Sequence, residues 1–126
     1  MAIARLDHFV LTVADIDRTL EFYDRFAGIT PITFGDGRHG LLIGDQKINL
    51  HEAGENITPR AAEPSVGGGD FCLVTSTPVS ELKADLEADG IAIELGPIDR
   101  TGARSDLRSI YLRDPDGNLL ELANEG

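Results

Sequence analysis

A chain of 126 residues, 41% hydrophobic and 26% charged, is long enough for one hydrophobic core and too short for two independent ones. A formal net charge of −11 weighs against nucleic acid and anionic membranes as partners, because both need clustered Lys and Arg, and it reads as surface solubility. No stretch approaches the roughly 20 apolar residues that span a bilayer. The opening MAIARLDHFV lacks the pattern of a signal peptide and the single cysteine, Cys72, allows no disulfide within the chain, so a cytoplasmic location is expected.

Residues 6–13 form an aromatic and β-branched run of strand length. Asp15 follows as an N-cap, and Ile16, Leu20, Tyr23 and Phe26 give an apolar helical stripe that Gly28 ends as a left-handed stop. Three short strands are expected over about 30–35, 39–44 and 47–52. Residues 53–68 carry Pro, Gly and Ala without periodicity and read as a linker. The pattern then repeats at a constant offset of 62, with His8 matched to Asp70, Phe9 to Phe71, Leu20 to Leu82 and Gly28 to Gly90. In the second copy 70–75 is the strand, Thr77 the N-cap, and Pro78 the first helical residue. Val79, Leu82 and Leu86 make the stripe, and Gly90 the stop. Strands are expected over 91–95, 108–113 and 118–123, the last two joined by a turn at DPDG, 114–117. The chain is therefore read as one α+β domain, 1–126, of two βαβββ modules, about 4–52 and 69–124. Its eight strands are expected to curve around a central cavity, with two helices on the outside.

Side-chain alternation assigns the faces. Phe9, Leu11 and Val13 should meet the helix, which leaves His8, Val10 and Thr12 on the open side. By the same parity Lys47, Asn49 and His51, then Asp70, Cys72 and Val74, and finally Leu119, Glu121 and Ala123 face that side. Four strands thus offer His8, His51 or Asn49, Asp70 and Glu121. Charged groups within strands are costly unless paired or metal-bound, and two imidazoles with carboxylates suit a divalent Zn, Ni, Fe, Mn or Co ion. Each has a plainer alternative: a structural His8 or His51, a solvated Glu121, and an Asp70 that caps a turn after the glycines at 67–69. His39 reads as a loop histidine and Cys72 as a small buried hydrophobe.

The segments LDHFVLTVADIDRTLEFYDRFAGI and IYLRDPDGNLLEL resemble signatures of the vicinal oxygen chelate superfamily, which includes glyoxalase I, epimerases, fosfomycin-resistance enzymes, extradiol dioxygenases and bleomycin-binding proteins. With QKINLHE and GPIDRTGA, the chain looks like the branch called glyoxalase domain-containing protein 5 and its virulence-protein-like bacterial relatives. The resemblance implies a homodimer and a metal held by one residue from each of strands one, four, five and eight. His8 takes the first place, Asn49 or His51 the second, Asp70 the third and Glu121 the last. Catalytic members usually carry His at the place of Asp70, which counts against glyoxalase I activity itself and against the dioxygenase and fosfomycin chemistries.

Two functions are implied. One is a metal-dependent enzyme acting on a small molecule with vicinal oxygens, by proton transfer or lyase and isomerase chemistry, with Glu121 or Asp70 as the base. Oxygen activation at Fe(II) belongs to the same class. The other is a non-catalytic protein that sequesters a small molecule or antibiotic, as bleomycin-binding relatives do. The absence of Trp and an aromatic content of 6% count against stacking a large planar ligand. Arg100, Arg104 and Arg108 surround TGA, either to reach an anionic substrate or as loop charges that offset the acidic surface.

Overall fold

Alternating side chains in HFVLTV make β1, His8–Val13, in a computed structural model that describes all residues, 1–126. It is followed by α1 (Ile16–Asp24), β2 (Ile29–Phe34), β3 (Arg38–Ile43) and β4 (Gln46–Glu52). The sheet order is β1-β4-β3-β2, with β1 parallel to β4 and the other pairs antiparallel. Parallel neighbours cannot be joined by a hairpin, so the helix and two further strands lie between them in sequence.

Asp15 caps α1 as expected: its backbone is extended and its carboxylate accepts the Arg18 N–H at 3.0 Å. A second acceptor comes from far along the chain, where Glu52 Oε2 takes the Ile16 N–H at 3.1 Å. The buried stripe differs from the expected one. Thr19, Phe22, Tyr23 and Phe26 are buried, whereas Ile16 and Leu20 are only half-buried. Those four follow the i, i+3, i+4, i+7 spacing of one helical face. Phe22 anchors it, with edge-to-face ring contacts at 5.1 Å to Tyr23 and 5.8 Å to Phe26. Gly28 is not the helix stop. The helix ends at Asp24 with Arg25 as C-cap, and Gly28, φ 91°, sits in the turn that enters β2.

The second copy contains β5 (Asp70–Val74), α2 (Val79–Ala88), β6 (Leu95–Thr101), β7 (Asp106–Arg113) and β8 (Leu119–Glu125). Its order, β5-β8-β7-β6, and its parallel β5–β8 pair repeat the first. The α+β reading of two βαβββ modules therefore holds, as eight strands in two open sheets with two helices. The chain divides into two compact units, Met1–Gly67 and Gly68–Gly126. No helix is long and apolar enough to cross a membrane.

Two local expectations change in the second unit and one holds. Thr77 does not cap α2; Asn124 of β8 does, its Oδ1 accepting the Val79 N–H at 2.9 Å while its Nδ2 donates to the carbonyls of Thr75 and Thr77. Gly90 does end the helix: with φ 82° it lets its own N–H reach Glu87 O and the Ile91 N–H reach Leu86 O. The strand expected at 91–95 begins only at Leu95 and runs to Thr101. Gly96, φ 108°, carries the irregular step between Leu95 and Ile98, and a Cβ there would overlap the Ser109 carbonyl.

DPDG forms the turn before β8 and is a clamp as well. Buried Asp114 Oδ1 accepts the N–H groups of Asp116 and Asn118, and Oδ2 accepts Asn118 Nδ2 at 2.8 Å. Asn118 Oδ1 in turn accepts the Gly69 N–H at 2.7 Å, which ties the start of β5 to β8. Removing this 1%-exposed amide strands the Gly69 donor and takes away the Asn118 bond to Asp114. Asn118→Ala is expected to lower stability by about 2–3 kcal/mol in urea unfolding. Asn118→Asp should not rescue it, because a carboxylate cannot donate to Asp114.

Candidate functional site

Strand pairing shows which residues share the open face of each sheet. In the first unit His8 lies beside Lys47, Val10 beside Asn49 and Thr12 beside His51. In the second Asp70 lies beside Leu119, Cys72 beside Glu121 and Val74 beside Ala123. Because the offset of 62 matches Val10 to Cys72, their strand neighbours Asn49 and Glu121 hold equivalent register positions, and the mate of His51 is Ala123. The same register matches Glu52 to Asn124, the two residues that cap the helices of their own units.

His8 is exposed, and its Nδ1 donates to Asp7 Oδ2 at 2.8 Å. This bond is the leading reason that the Asp7 carboxyl is held below its ordinary range. A carboxylate on Nδ1 fixes the ring and leaves Nε2 as the lone-pair nitrogen, the arrangement found behind metal-ligating histidines. Lys47, beside it, is occupied by cation–π contact with Phe34 at 3.6 Å. Asn49 is only 4% exposed, yet its Oδ1 has no hydrogen-bond partner. Buried acceptors are rarely left so.

His51 stands apart from His8. Their β1 positions differ by four residues, roughly 13 Å along a strand. His51, whose Nε2 is buried without a partner, lines a cavity of about 350 Å³ beneath residues 53–66, together with Thr12, Glu52 and Arg60. His39 belongs to β3 rather than a loop, with Nδ1 at 3.3 Å from Thr33 Oγ1.

In the second unit Glu121 Oε2 accepts Ser109 Oγ–H at 2.7 Å, which orients the carboxylate. Beside it Cys72 is exposed, not the buried hydrophobe its sequence position suggested. Desolvation of the thiol, with the Glu121 charge second, pushes its pKa up to about 11. Asp70 is exposed and does not cap the glycine turn, a task that Asn118 performs. It lies near Arg113, which Glu94 holds in a two-bond fork at 3.0 and 3.1 Å. Glu121 and Cys72 line a second cavity of about 350 Å³ with Arg100, Thr101, Arg104 and Glu125. Arg100 and Arg108 are strand residues rather than loop charges. Within either unit, no three His, Cys, Asp or Glu side chains gather closely enough to hold an ion.

Residues 5–122 match the family model described as Glyoxalase/Bleomycin resistance protein/Dioxygenase superfamily. The chain belongs to this superfamily. It is 46% identical over 123 residues to virulence protein STM3117 of Salmonella typhimurium, covering 98% of this chain and 85% of that one. The STM3117 crystal structure superposes at a TM-score of 0.95, with 44% identity and 100% of both chains covered. Glyoxalase domain-containing protein RDO1 of Mycosarcoma maydis is 42% identical over 98% of this chain and 70% of its own. A more distant relative is the lactoylglutathione lyase GLX1 of Arabidopsis thaliana, 29% identical over 97% of this chain and 44% of that one. The fold is shared with FosX, a fosfomycin resistance protein of Listeria monocytogenes solved with Mn(II) (24% identity, TM-score 0.67, 99% and 93% covered). It is shared too with TnmS3, an antibiotic binding protein of a Streptomyces species (22% identity, TM-score 0.77, 100% and 99% covered).

Sequence parity offered His8, His51 or Asn49, Asp70 and Glu121, but not the residues that hold them. Asp7 was readable as the neighbour of His8. Ser109 was not, because β7 reaches Glu121 only through cross-strand pairing. The Cys72 thiol should hold roughly a hundredfold less thiolate at neutral pH than it does in the unfolded chain, since a pKa raised from 9.0 to about 11 keeps it protonated. Iodoacetamide should therefore label it slowly until urea is added, and faster in Glu121→Gln, whose neutral amide no longer repels the thiolate. Equal rates in the folded and unfolded chains would contradict this.

Proposed function

We propose that the protein is a metal-dependent enzyme that moves a proton next to a carbonyl in a small molecule with vicinal oxygens. The carrying observation is that the residue matched to Glu121 in the first unit, Asn49, has a buried and unpartnered Oδ1. The ligand set is His8 and Asn49 from one module with Asp70 and Glu121 from the other, and the resemblance supplies their joining at one ion in a homodimer. The strand-four choice falls on Asn49, because His51 lies too far along β4 from His8 and faces the cavity beneath 53–66. One imidazole nitrogen and three oxygens suit a borderline divalent ion such as Mn, Fe, Co or Ni better than a thiolate-loving one.

Such a metal, when bound, supplies a Lewis acid for an oxyanion next to the reacting carbon. The chain's own groups do the rest. Asp7 orients His8 so that Nε2 points away from the carboxylate. Ser109 holds Glu121 Oε2, which leaves Oε1 to accept a proton as the general base. Cys72, protonated at neutral pH, does not compete as a nucleophile. Asp70 adds an oxygen where catalytic relatives carry an imidazole, and the extra negative charge favours the harder ions of that series. A cytoplasmic location and a small-molecule partner fit this reading.

Metal analysis after incubation with Mn, Fe, Co, Ni or Zn and desalting tests it. The wild type should retain about one equivalent per chain, His8→Ala and Glu121→Gln less than about a tenth, and His51→Ala the wild-type amount. Full occupancy in both His8→Ala and Glu121→Gln would overturn the ligand assignment. A wild type that retains less than about a tenth with every metal would favour the alternative, a sequestering protein without turnover. For the chemistry, NMR in D2O should show metal-dependent exchange of a proton next to a carbonyl, reduced by about 10²-fold or more in Glu121→Gln.

A further inference from the structure

The second unit contains four arginines around β6 and β7, and three of them are consumed by carboxylates. Arg108 pairs with Asp99 at 3.0 Å, Arg113 with Glu94 at 3.0 Å, and Arg104 with Glu125 at 3.6 Å. Arg100 has no acidic partner. Its Nε donates to Tyr111 Oη at 2.9 Å, its Nη1 to the Asp99 carbonyl at 3.2 Å, and its guanidinium carbon stands 5.5 Å from the Tyr111 ring centre. Its partners are a phenol and a backbone carbonyl, in a unit whose other three arginines each meet a carboxylate.

The position of Arg100 gives that charge a direction. Tyr111 lies directly beside Glu121 across the β7–β8 pair, and Arg100 lines the cavity of about 350 Å³ that Glu121 and Thr101 also line. Two of its five N–H donors are committed, so one Nη1 and both Nη2 N–H groups stay free for a planar, two-oxygen acceptor. Tyr111 fixes the plane of the fork, which lowers the entropy lost when a ligand is gripped. The volume is at the low end of the range for ligand pockets and admits a small molecule rather than a polymer or a large ring system.

We propose that Arg100 is the carboxylate-binding residue of the cavity that Glu121 lines, and that the ligand is a small organic acid. The acid group would be held at Arg100 with the rest of the molecule toward Glu121, so the charge selects the substrate and sets which of its carbons the base meets. This deepens the enzymatic reading and rests on it for the role of Glu121, whereas carboxylate recognition itself needs neither metal nor turnover.

Calorimetric titration of EDTA-treated, full-length protein separates the two. The probes are pyruvate, lactate, the uncharged pyruvamide and inorganic phosphate. Pyruvate or lactate should bind saturably, and pyruvamide at least about tenfold more weakly. Arg100→Gln should erase that preference, Arg100→Lys should keep only part of it because the fork is lost, and Arg108→Gln should leave it unchanged. Tyr111→Phe serves as a second variant that preserves the ring and removes the anchoring hydroxyl; it should weaken carboxylate binding several-fold and leave pyruvamide unaffected. The proposal is overturned if none of the acids binds, if pyruvate and pyruvamide bind alike, if Arg100→Gln keeps the preference, or if phosphate outbinds both acids. Because no metal is present, these outcomes are independent of whether His8 and Glu121 ligate an ion.

Discussion

The structure depends on one pairing made twice, the parallel contact between the first and last strand of each module. It brings Val10 beside Asn49 and Cys72 beside Glu121, positions separated in each case by most of a module. Because the pair is parallel, the chain must leave the sheet and return, and the helix is the first part of that excursion. The end of the last strand then lies at the start of the helix, where Glu52 and Asn124 accept its first N–H groups. Capping and sheet closure are thus one event in each unit, and anything that loosens the last strand also frays the helix.

The same pairing sorts the side chains. One face of each sheet carries Leu11, Val13, Ile48 and Leu50, or Leu120 and Leu122, all buried, with α1 and α2 packed on the strands of their own units. The opposite face is where His8, Asn49, Asp70 and Glu121 stand. Placing polar groups on the less covered face spares most of the desolvation cost that a two-sided core would impose. Asn49 is the exception, and its buried, unpartnered oxygen marks the place where the fold departs from its own economy.

Charge follows a similar division of labour. In the second unit Arg108, Arg113 and Arg104 each meet a carboxylate. Arg100 is kept free by Tyr111, in the cavity where Glu121 is kept oriented by Ser109. A carboxylate and a guanidinium thus line one cavity, each held by a hydroxyl rather than by the other.

Periodicity and repetition in the sequence determined the two βαβββ modules, the Asp15 cap, the Gly90 stop and the shared parity of His8, Asn49, Asp70 and Glu121, because these depend on neighbours within a few residues. The superfamily was legible from its opening and closing segments for the same reason. Tertiary structure alone decided the rest. Thr77 was a sound local cap, yet Asn124 displaced it by arriving from the far end of the module with both a donor and an acceptor. Residues 91–94 have strand composition, but the step at Gly96 moves the pairing to 95–101. Parity puts Asn49 and His51 on one face, and only the β1–β4 register shows how far along the sheet each lies from His8. Arg100 could be read as a loop charge only until β6 paired with β7 and brought it to the cavity that Glu121 lines. Local periodicity fixes which way a side chain points, whereas its partners are set by pairings between distant strands, which no window along the chain contains.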